Sequence, residues 1–153
     1  MSIFESSIIP FIGNSYLSFD MLYDDVKKLL KDNNIKYQVD VLPNKGCTPE
    51  VPWTIIRVQN IISIYVAYNK MFKIEFNEGY TGKLNNGIYI GMPMEEALSL
   101  DSTLTFNDDE EDFESEEGYW LEDKLETNTV MSITVFIKEL LDEDIFFLYE
   151  WAR

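Results

Sequence analysis

The segments of this chain run through the same order twice, and that constrains its architecture more than any single motif. Each half opens with a helix signal and continues into strand-length apolar runs. In the first, SYLSFDMLYDDVKKLLKDNN sets Leu22, Val26, Leu29 and Leu30 at i, i+4, i+7 and i+8, one face of a helix. Asp20 or Ser18 can cap its start. Asp24 and Asp25 sit in the first turns and Lys27, Lys28 and Lys31 toward the end, a polarity that suits the helix dipole. In the second, NGIYIGMPMEEALSL has the same layout. Met21 aligns with Met92, Asp24 and Asp25 with Glu95 and Glu96, and Val26 with Ala97, with Pro93 at the first helical position.

Strands are expected at Ile35–Leu42, Trp53–Val58, Ile62–Ala67 and Met71–Phe76 in the first half. In the second they are expected at Leu104–Phe106, Tyr119–Asp123, Met131–Ile137 and Phe146–Trp151. The runs match in kind: WTIIRV answers YWLEDK, ISIYVA answers MSITVF, and MFKIEF answers IFFLYEW. Phe72, Ile74, Phe76 and Ile133, Val135, Ile137 alternate as half-buried antiparallel strands do. Pro43, Pro49 and Pro52 keep the loop before Trp53 out of the sheet, and EGYTGKLNN (Glu78–Asn86) links the halves. The fold class is therefore α+β: a tandem helix-plus-strands repeat forming an antiparallel sheet with helices on one face. The 153 residues read as a single domain built from two similar halves, about 1–80 and 84–153, which share one sheet because each half alone is too small for a good core.

Charge divides the chain unevenly. Of 28 Asp and Glu residues, 11 lie in residues 1–100 beside 9 Lys and Arg, a net of −2. Residues 101–153 hold the other 17 against Lys124, Lys138 and Arg153, a net of −14. The densest stretch is Asp108–Glu117, DDEEDFESEE, in which 8 of 10 residues are acidic. A solvated loop is one reading of such a run. Phe106 and Phe113 interrupt it, however, and Tyr119, Trp120 and Leu121 follow at once. Acids interleaved with aromatics supply both steering charge and apolar anchors for a basic partner.

Composition removes several chemistries. A net charge of −16 repels phosphate backbones, so nucleic acid is not the expected ligand. The absence of histidine excludes Ser-His-Asp triads and most zinc and iron sites. Cys47 has neither a disulfide partner nor a histidine to activate it. The spacing of Asp108, Glu110 and Asp112 resembles the start of a calcium loop, but Phe113 stands where glycine is needed and Tyr119 where the bidentate glutamate belongs. Neither a cofactor nor a catalytic role is expected. The N-terminus lacks a basic region and a cleavage signal, and no apolar run approaches 18 residues, which points to a cytoplasmic protein without a membrane partner.

The candidate partner-binding residues are Asp108, Asp109, Glu110, Glu111, Asp112, Glu114, Glu116 and Glu117, facing lysines and arginines of a partner. Tyr119 and Trp120 are the expected apolar anchors, and Glu122 and Asp123 extend the patch. Trp53, Trp151, Met92 and Met94 are expected in the core. Two stretches, GIYIGMPMEEAL and EEGYWLEDK…MSITVFIKE…IFFLYEW, resemble those of the cytoplasmic immunity proteins of bacterial polymorphic-toxin and contact-dependent growth inhibition systems. The resemblance covers mainly residues 87–151. It implies a protein that binds and neutralises one cognate toxin domain, basic and of the nuclease kind, through an acidic surface. Two other classes stay open: a non-catalytic small-molecule or peptide-binding module, and a dimeric scaffold.

Overall fold

Alternation of apolar and polar residues builds one sheet from both halves of the chain. The computed structural model describes residues 2–153. Helix α1 (Tyr23–Asp32) is followed by β1 (Gln38–Leu42), β2 (Trp53–Val58), β3 (Ile62–Ala67) and β4 (Lys70–Phe76). Helix α2 (Met94–Leu100) is followed by β5 (Thr105–Asn107), β6 (Asp112–Glu114), β7 (Tyr119–Lys124) and β8 (Thr129–Phe136). A short helix, α3 (Glu143–Phe146), lies between 3-10 turns at Lys138–Leu141 and Glu150–Ala152. The eight strands are antiparallel in the order β1-β2-β3-β4-β8-β7-β6-β5, so the last strands of the two halves meet at the centre and the first form the edges.

Every second residue of the central strands faces a single apolar core. Ile62 and Ile64 of β3, Ile74 and Phe76 of β4, Leu121 of β7 and Ile133 and Val135 of β8 are all fully buried there. Val26 and Leu30 of α1 and Met94 and Ala97 of α2 pack onto the same face. The N-terminal segment adds Ile3, Ile8 and Leu17. Buried Asn14 ties it down: its side-chain amide donates to the Ile3 carbonyl (3.1 Å) and the Tyr80 hydroxyl (3.0 Å), while its oxygen accepts from the N–H groups of Tyr16 and Leu17. The linker is thereby held against the core.

The structure corrects several expectations. Leu22, not Asp20 or Ser18, precedes α1, and the Asp25 carboxylate accepts its N–H at 3.0 Å. Pro93 sits just before α2 and not inside it. Phe146–Trp151 is no strand: both flanks of β8 are already taken by β4 and β7, and the run instead turns, burying Phe146, Tyr149 and Ala152 at a spacing of three. Asp142 starts that turn by accepting from the Asp144 N–H at 3.0 Å. A strand at Asp112–Glu114 was not expected, because acids occupy two of its three positions. The sheet order does not follow the expected matching of runs. YWLEDK (β7) holds the position in its half that ISIYVA (β3) holds in the other, and MSITVF (in β8) meets MFKIEF (in β4) at the centre.

Nor do the helices share one face. The C-terminal segment covers the opposite side of the sheet, where Phe146 and Tyr149 pack with Val51, Ala67 and Phe72 in a second apolar cluster. Phe146 stands edge-on to Phe72 (5.2 Å between ring centroids) and stacks on Trp151 (5.2 Å). Trp53 donates its indole N–H to the Tyr149 hydroxyl at 3.0 Å.

Candidate functional site

The acidic run places a short strand, β6, between two exposed turns at 108–111 and 116–117. Phe113 points into the main core and pairs with Leu121, which leaves Asp112 and Glu114 on the other face of β6. The turn from β5 to β6 is held from within. Asn107 accepts the N–H groups of Asp109 (3.0 Å) and Glu110 (3.2 Å), and Glu111 takes up a left-handed conformation, φ 56°. Asn107 also donates its amide to Glu114 at 2.6 Å.

Beyond β6, buried Asp101 organises the chain. Its carboxylate accepts from the hydroxyls of Ser115, Thr103 (2.6 Å) and Tyr119 (2.5 Å) and from the Thr103 N–H (2.9 Å). Burial alone would raise the carboxyl, but these donors outweigh it and hold Asp101 down at about 2. The next turn requires Gly118: its φ is +99°, and a Cβ would lie 2.3 Å from the Phe11 ring.

This architecture divides the expected site. Successive hairpin turns fall at opposite ends of an antiparallel sheet, so Asp108, Asp109, Glu110 and Glu111 project at one end while Glu116 and Glu117 lie at the other, where Glu117 accepts from Asn86. Tyr119 is a correction. Its ring is fully buried, and its hydroxyl donates to Asp101 while accepting from Asn86 at 3.0 Å, so it is a core residue and no surface anchor. Trp120 alternates to the other face, half-buried, with its ring 4.3 Å from that of Phe136. Glu122 lies on that face too, directly opposite Ser132.

What the fold brings together is a row across four strands, with carboxylates on three of them (β6, β7 and β4). Glu114 lies opposite Trp120, Trp120 opposite Thr134, and Thr134 opposite Glu75. One pleat further, the same register sets Asp112 beside Glu122, and Glu122 beside Ser132. Burial, reinforced by the negative charges of Glu114, Glu110 and Glu122, raises Asp112 to about 6. Glu122 is raised as well, by burial first and then by Glu75, with Lys73 opposing. Lys73 stands within this field, yet its ammonium lies over the Tyr65 ring, 4.1 Å from the centroid, and burial pulls its proton affinity down. Two oxygens of the row have no hydrogen-bond partner although they are buried, Asp112 Oδ1 and Ser132 Oγ. Glu75, Lys73 and Ser132 were missing from the sequence-based site. Alternation in KMFKIEF marks the first two as non-core residues of β4, but only the strand order places them beside the acidic run.

Among the described residues, no group of three or more acidic or cysteine side chains is arranged to hold a metal ion, and none of the helices is long and apolar enough to cross a membrane. Compared with family models, curated proteins and solved structures, the chain gives no significant match. Chemically, the row offers many acceptors and few donors, an arrangement suited to receiving a cationic surface.

Proposed function

We propose that the protein is a cytoplasmic immunity protein, which binds and neutralises one cognate toxin domain with a basic cleft, such as that of a nuclease. The observation that carries this reading is the gathering of Asp112, Glu114, Glu122 and Glu75 on one stretch of sheet, with Glu110 in the adjoining turn, at the cost of raised pKa values for Asp112 and Glu122. Mutual repulsion of that kind is relieved when a positive surface arrives, and the long-range field speeds its arrival. We also read the two helix-plus-four-strand units as a tandem repeat, a reading supported by the mirrored strand order about the β4–β8 pair.

The test is to combine the chain with the basic toxin domain encoded beside its gene. One-to-one binding that abolishes the toxin's activity is expected. Replacing the exposed pair Glu110→Lys and Glu111→Lys should slow association about tenfold or more at low salt, and much less at high salt. An unchanged association rate at low salt would overturn the role of this surface. A small-molecule-binding module is the second reading. It is favoured by an apolar cavity of about 270 Å³ between the β1–β2 loop and the C-terminal segment, lined by Cys47, Pro49, Trp53, Phe147 and Tyr149.

A further inference from the structure

A row of apolar side chains crosses the sheet and stops in solvent. Val135, Ile74, Ile64 and Ile56 stand opposite one another on β8, β4, β3 and β2, and each is fully buried. The next place in the row is Val39 of β1, opposite Ile56, and it is 42% exposed. On the same face Val41 is 63% exposed, and Leu42, on the other face opposite Trp53, is open as well. All five residues of β1 are exposed, although the strand runs beside β2 in unbroken register. One side of its backbone pairs with β2, and the other has no neighbouring strand.

The two edges of the sheet differ in what they admit. β5 has three residues and runs into the acidic turn at 108–111, two features that deter edge pairing. β1 has five, with neither lysine nor proline among them, and its one charge, Asp40, is held by Arg57 at 2.7 Å. The charge balance around it changes too. Residues 33–60 carry Lys36, Lys45 and Arg57 against Asp40 and Glu50, a net of +1 in a chain of −16. The dense acidic run of residues 108–117 lies toward the opposite edge of the eight strands, about 30 Å away and several Debye lengths at physiological salt.

We propose that β1 is where two copies of this chain meet, pairing antiparallel about a two-fold axis and joining their eight-stranded sheets into one. Pairing over the full strand sets Val39 opposite Val41 of the second copy, which carries the apolar row across the junction. The two Asp40 carboxylates then meet at the axis, each already countered by the Arg57 of its own chain. A second copy fits this edge because both surfaces are apolar and close to neutral, while the dense acidic runs are carried to opposite ends of the joined sheet, roughly 70 Å apart. The proposal is independent of the inhibitor reading, since the acidic face of each copy stays open.

The experiment is sedimentation equilibrium of the intact chain at physiological salt, from micromolar to near-millimolar concentration, with amide hydrogen exchange followed over the same range. A monomer–dimer equilibrium is expected, and exchange should slow at alternate residues of β1 as dimer accumulates. Val41→Lys puts a charge on the exposed edge without touching the core and should weaken dimerisation about tenfold or more. Leu125→Lys makes the same change of charge at an 84% exposed position in the β7–β8 turn and should not weaken it. The exchange pattern of the natural chain decides independently of either variant. A chain that is monomeric throughout, a dimer that Val41→Lys leaves intact, or a dimer without added protection in β1 would overturn the proposal. So would protection of β1 that arises only when the basic toxin domain is added, because the edge would then belong to that partner.

Discussion

The sheet face turned away from α1 and α2 has two ends that solve the same problem differently. At one end the strands present Trp53, Tyr65 and Phe72, and residues 138–152 fold over them to form an aromatic cluster. At the other they present Asp112, Glu114, Trp120, Glu122 and Ser132, and Glu114, Trp120 and Glu122 stay only partly buried. Apolar side chains on a sheet face gain roughly 1.5–3 kcal/mol each when covered, which recruits a covering segment. Carboxylates lose by being covered unless cations or donors come with the cover. The chain supplies its own cover for the aromatic end and leaves the acidic end only partly covered. On the proposed function, stability and recognition are separated along one surface.

Mutations at each end should keep them separate. The largest effect is expected from Phe146→Ala, which empties the centre of the aromatic cluster between Phe72, Tyr149 and Trp151. It should cost about 3–5 kcal/mol in denaturant unfolding, while the Asp112 titration midpoint in the folded protein stays where it is. A shift of that midpoint would show that the two ends are coupled. Next comes Asp101→Asn, behind the acidic end. Asp101 is held at about 2, below the ordinary 3.8, so its contribution is full above pH 4 and is lost as pH falls from about 4 to about 2. Removing it should cost about 2 kcal/mol at neutral pH and flatten the acid limb of a stability-versus-pH curve over that window. An unchanged acid limb would mean that the hydroxyls of Ser115, Thr103 and Tyr119 do not favour the ionised form.

How much of this was legible depended on whether a signal was local. The limits of β2 and β3 follow from alternation bounded by Pro52, Gln59-Asn60 and Tyr68-Asn69. Val26 and Leu30 follow from helical spacing. IFFLYEW misleads because its aromatic composition favours strands, and only the occupied flanks of β8 exclude it from the sheet. Composition alone marks the acidic run, but whether Glu116 joins Asp112 depends on a hairpin turn between them. Tyr119 looked like an anchor by adjacency to the acids, whereas strand parity sends it to the core beside Asp101. The pairing of Glu122 with Ser132 and the approach of Glu75 from β4 rest on strand order, which no local pattern specifies.

The smallest effect has the opposite sign and tests the acidic end most directly. Asp112 is raised to about 6 from the ordinary 3.8, so between those values the folded chain holds more protons than the unfolded one. Stability must therefore fall as pH rises through that window. Asp112→Asn keeps the shape and removes the charge that Glu114, Glu110 and Glu122 oppose. It should leave stability nearly unchanged near pH 4 and increase it above pH 7, by about 1 kcal/mol after the lost hydrogen-bonding capacity of the carboxylate is subtracted. Paired unfolding curves of the natural chain and the variant across that range would measure this. A gain confined to high pH would mean that the chain tolerates an unfavourable carboxylate at this position, which is how a surface built for a cationic partner differs from one built for stability. Equal loss at all pH values would instead make Asp112 an ordinary structural acid and dissolve the contrast between the two ends.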